Sequence, residues 1–81
     1  MPVPLVPIVS VSVGDAFVVN GKDLYVLISI VPTPPPPQYI VVKVKTKETI
    51  VFPIVSPPPG FAMVQNVAPG KGMQILAFVP K

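Results

Sequence analysis

The sequence predicts an all-β protein, a small barrel or sandwich of about five to seven short antiparallel strands. Three observations carry that expectation. Val and Ile dominate an apolar fraction of 51%, and both are stiff at χ1 and favour pleated surfaces. Fourteen of the 81 residues are proline, and each would cost a helix interior about 3 kcal/mol. Between the prolines, apolar residues recur with period two, interrupted by Gly, Pro and Asn turn signals.

The chain begins with an extended apolar arm, residues 1–9, in which Pro2, Pro4 and Pro7 fix φ and push their neighbours toward β or polyproline geometry. Residues 10–81 then form a single small β domain. Ile8–Val13 reads as a short first strand, and Gly14-Asp15 as a turn before Phe17–Val19. Asn20-Gly21 is the strongest hairpin signal, because both central residues of such a turn need φ > 0. The strand Leu24–Val31 follows, with Leu24, Val26, Ile28 and Ile30 on one face and Tyr25, Leu27, Ser29 and Val31 on the other.

Five prolines in residues 32–38 predict a stiff polyproline connector. Tyr39–Lys45 is read as a strand with Ile40, Val42 and Val44 toward the core and Tyr39, Val41, Lys43 and Lys45 outward. Thr49–Val55 returns with Ile50, Phe52 and Ile54 inward, and Pro53 marks it as an edge or bulged strand. After a second connector, SPPPG, come Phe61–Val67, a turn around Ala68–Gly72, and a last strand Met73–Val79 that is apolar on both faces.

The run VGDAFVVNGKDLYVLISI within residues 13–55, followed by a loop and two strands joined by a polar turn, resembles SH3-like small barrels. The resemblance implies a fold and transfers no binding or catalytic residue.

Composition narrows function by exclusion. Without Cys or His, thiol chemistry, disulfides and the common zinc sites have no residues to use. Asp15, Asp23 and Glu48 are the only carboxylates, each placed where a turn or a neighbouring lysine accounts for it. No serine has a base beside it in sequence, and Pro69–Gly72 is too short for a phosphate loop. The expectation is a non-enzymatic protein with no catalytic, cofactor-binding or metal-binding residue and no small-molecule substrate. The N-terminus lacks a basic region, no long uninterrupted apolar run is present, and so neither a signal peptide nor a transmembrane helix is expected.

Charged residues make up only 11% of the chain, against about 25% in ordinary soluble domains. A small domain so poor in charge either exposes apolar surface or buries it against neighbours. The expectation is therefore a homo-oligomer or larger protein assembly, with Val3, Leu5, Val6 and Ile8 of the arm and Leu76, Phe78 and Val79 of the last strand as contacts. Small β proteins with clasping arms serve in viral shells and tails, which makes a virion decoration or connector subunit the natural analogy. The robust, thermostable composition also suits a designed barrel with no biological function. A third alternative is nucleic-acid binding: Lys43, Lys45 and Lys47 share strand parity with Tyr39, giving a basic stripe with an aromatic platform. A net charge of +3 and the absence of Arg weigh against it.

Overall fold

The computed structural model describes residues 4–33 and 35–78, the Phe78 side chain excepted. The elements in chain order are β1 (Leu5–Pro7), a 3-10 turn (Ile8–Ser10), β2 (Ala16–Val19), β3 (Asp23–Val31), β4 (Gln38–Lys43), β5 (Thr49–Pro53), β6 (Met63–Ala68) and a short helix, α1 (Gly72–Phe78). The six strands form one antiparallel sheet in the order β1-β6-β2-β3-β4-β5. The all-β expectation holds.

One face of the sheet curls around the main core. Phe17, Val19, Tyr25, Leu27, Tyr39, Val41, Phe52 and Val64 enter it from five strands. Phe61, just ahead of β6, sits at its centre: its ring meets Tyr25 at 4.9 Å, Phe52 at 5.4 Å and Phe17 at 6.3 Å between centroids. These partners come from β3, β5 and β2, so one side chain bridges strands that are distant in the sheet order. The tilted and edge-on ring arrangements are those that aromatic quadrupoles favour.

The opposite, outer face carries a smaller cluster of Ala16, Val26 and Val44, covered by Ile75 and Leu76 of α1. Here the sequence expectation of a strand over Met73–Val79 is corrected. Met, Gln, Leu and Ala are good helix formers, and Ile75 and Leu76 lie on the side that meets β2 and β3. A strand with two apolar faces and a short helix covered on one side share the same unpatterned sequence.

Two further corrections concern β3 and β4. Tyr39 and Val41 face the main core, not outward, while Val42 and Val44 are buried on the other face. Between Leu27 and Ser29 the register against β4 shifts, so Ile28 is an extra residue. This bulge reverses side-chain parity beyond it, which puts Ile30 with Tyr25 and Leu27 on the main core and leaves Ile28 with the outer cluster.

The Asn20-Gly21 turn forms as expected, with φ of 56° and 73° and Lys22 N–H donating to the Val19 carbonyl. The expected strand over Ile8–Val13 is instead a 3-10 turn and loop, and Ile8 and Val11 are core residues. Replacing Phe61 with Ala should lower unfolding free energy by roughly 3–5 kcal/mol, as for other buried aromatics. Urea unfolding of the two proteins checks this, with an unchanged m-value as the sign that the fold survives.

Candidate functional site

Three places on the molecule gather polar or exposed groups. The first is Asp15, which is buried. Its Oδ2 accepts from Ser12 N–H at 3.0 Å and from Asn66 Nδ2 at 3.0 Å, and its Oδ1 accepts from Gly70 N–H at 2.7 Å. Burial pushes this carboxyl's pKa up, and the Ser12, Gly70 and Asn66 donors outweigh that, leaving it below its ordinary 3.8. Its oxygens are engaged by the protein's own amides, so the group is a fastener. Gly72 N–H also donates to the Gly14 carbonyl at 2.7 Å, fixing the start of α1 on the same loop. A Cβ at Gly72 would lie 2.8 Å from Val26 Cγ1 and 2.9 Å from the Gly14 oxygen, so the approach requires glycine.

The second place is the β4–β5 hairpin. Lys43 lies at the end of β4, Lys45 is exposed, and Lys47 occupies the left-handed region at φ 61°. Thr46 Oγ1 donates to Glu48 Oε1 at 3.1 Å across the turn. The three lysines thus gather at one hairpin. Tyr39 does not join them: it is 6% exposed and packs on Phe52, and burial raises its phenolic pKa. The aromatic platform expected beside the lysines is inside the core.

The third place is a groove of about 450 Å³ between β1, the Asn20-Gly21 turn and residues 60–63. Leu5 and Met63 form its apolar wall, exposed by 58% and 47%. Register places Leu5 beside Gln65 and Gln65 beside Val18, a row across the outer face that α1 leaves open. Gly60, at φ +88°, packs so closely on Asn20 that a Cβ would stand 2.6 Å from its Nδ2.

The expected contact residues separate accordingly. Leu5 is exposed in the groove. Val6 is half-buried against the main core and Ile8, 2% exposed, is part of it, so this stretch of the arm packs within its own chain. Leu76 is likewise turned onto the outer cluster. Val3, Val79 and the side chain of Phe78 lie outside the described residues. Sequence reasoning missed Met63, whose outward position follows from parity once Val64 is placed inward.

No protein-family model, curated protein or solved structure matches the chain.

Asp15 sets an acid limit on stability. A carboxyl whose pKa is lowered by folding contributes stability that is fully present above the unfolded value, near 3.8, and is lost as pH falls through the folded value. Asp15→Ala should cost roughly 3 kcal/mol near neutral pH, through the lost charge-assisted bonds and the stranded donors. It should also flatten the loss of stability below pH about 4, which unfolding curves across an acid series measure.

Proposed function

We propose that this protein is a non-enzymatic structural subunit that associates with copies of itself through apolar β surface. The observation that supports the reading is the exposed pair Leu5 and Met63 beside the groove, on the part of the outer face that α1 leaves uncovered. Val9, Val13 and Val67 add to the exposed apolar surface, while the whole chain carries six cationic and three acidic side chains. A surface of that composition is stabilised by contact with another apolar surface. Nucleic-acid binding through the lysine hairpin has less support, because stacking requires an accessible ring and Tyr39 is buried.

Light scattering after size exclusion tests the proposal. The wild-type chain should run as a species heavier than its 8.6 kDa, equally at low and high salt, since apolar contacts are not screened. The double variant L5K/M63K should lower that mass while keeping its β circular-dichroism spectrum. A wild-type species of 8.6 kDa at every concentration would overturn the assignment.

A further inference from the structure

The two edges of the sheet differ in what they offer a neighbour. In an antiparallel ladder, residues alternate between pairs that exchange hydrogen bonds and pairs whose amides point away. Lys43 N–H donates to the Glu48 carbonyl at 2.8 Å, and Ile54 N–H donates to the Pro37 carbonyl at 2.9 Å. With the β4–β5 register, these two bonds bracket the ladder and assign Ile50 and Phe52 to the bonded set. Thr49, Val51 and Pro53 therefore direct their backbone groups away from β4. Pro53 removes no bond from the ladder; its missing N–H falls on the open side.

At the other edge, Ile8 N–H donates to the Ala62 carbonyl at 2.9 Å, so Val6 bonds to β6 while Leu5 and Pro7 point outward. Leu5 then supplies the one outward N–H of β1, between Pro4 and Pro7. That edge is blunted, in the manner of edges that resist strand addition.

We infer that the β5 edge pairs with β5 of a second copy, antiparallel about a two-fold axis at Val51. This rests on the self-association reading and names a contact within it. Val51 is 53% exposed and lies in register with half-buried Ile40 on the outer face, so the apolar row continues across the axis to the second Val51. The two Val51 residues exchange N–H to C=O bonds. Thr49 N–H of each copy meets the Pro53 carbonyl of the other, which also accepts from its own Ser56 N–H at 3.0 Å, while the return bond to the Thr49 carbonyl is forgone because Pro53 has no N–H. On the inner side, Ile50 stands opposite Phe52 of the second copy. A register shifted by two toward Thr49 would set Val51 against Thr49 and Phe52 against Glu48, a poorer match of apolar with apolar. One shifted by two the other way would set Val51 against Pro53, whose missing N–H leaves the Val51 carbonyl unpaired. The occupant is a second copy because the Val51 donor and acceptor, the Thr49 donor and the apolar side chains are matched by their own two-fold equivalents.

The test uses charge at the axis, in the L5K/M63K chain so that the groove contact is absent. A two-fold contact sets position 51 against itself, where like charges repel and opposite charges attract. L5K/M63K should then scatter as twice 8.6 kDa. Adding V51K or V51E should each give a monomer with unchanged circular dichroism, and an equimolar mixture of the two should recover the doubled mass. The Val51 amide, read by hydrogen exchange in L5K/M63K, should be protected at high concentration and lose protection on dilution. The inference is overturned if L5K/M63K is already monomeric, if V51K stays dimeric, or if the mixture remains monomeric. In those cases a wild-type oligomer would leave the assembly reading standing, whereas a wild-type monomer would remove both.

Discussion

A buried carboxylate with no cation beside it among the described residues must be met by hydrogen-bond donors, and Asp15 takes its donors from parts of the chain that are far apart. Ser12 is local, but Asn66 and Gly70 lie 51 and 55 positions away. Meeting that requirement brings the loop before β2, the strand β6 and the turn before α1 to one point. Gly72 then docks on the Gly14 carbonyl, which only a residue without a Cβ could approach so closely. From this anchor α1 lies across Ala16, Val26 and Val44. A seven-residue helix is too short to be stable alone, so its packing and its anchor hold it. The outer face is covered where α1 reaches and open toward Leu5 and Met63, where it does not.

The same need to cover both faces decides what the sequence could reveal. The Asn20-Gly21 turn, the inward set Ile50, Phe52 and Ile54, and the edge position of β5 all follow from local chemistry, and all are present. Tyr39 and Val41 depart from their expected outward placement because β4 is apolar on both sides, so alternation cannot say which face is the main core. The bulge at Ile28 is a property of pairing with β4 and leaves no mark in the strand's own composition. Met73–Phe78 folds as a helix because its apolar residues needed one covered side, and a two-faced apolar pattern permits either period. From sequence the carboxylate of Asp15 reads as ordinary turn chemistry. Its bond to Ser12 is that, but its bonds to Asn66 and Gly70 depend on tertiary structure.

For the candidate contact surface, composition was more informative than individual residues. Scarcity of charge pointed to exposed apolar surface, and nine large apolar side chains are exposed among the described residues. Which ones they are required the fold: Ile8 is drawn into the core as the chain crosses beside β6, and Met63 emerges because Val64 goes in. The two sheet edges, similar in apolar character, diverge through the parity of their prolines. In β1, Pro7 takes an outward position and leaves Leu5 alone. In β5, Pro53 takes an outward position at the strand end and leaves Thr49 and Val51 free to donate.

The measurement that bears most directly on this account is residue-resolved amide exchange in Asp15→Asn. An amide in place of the carboxylate keeps one acceptor oxygen and turns an NH₂ toward a donor it should accept, so the anchor of α1 fails while the ladder chemistry is untouched. The account predicts that Gly70, Gly72 and the α1 amides lose protection while the β3–β4 amides keep theirs. Unchanged protection in α1, or an equal loss throughout the β3–β4 ladder, would contradict it.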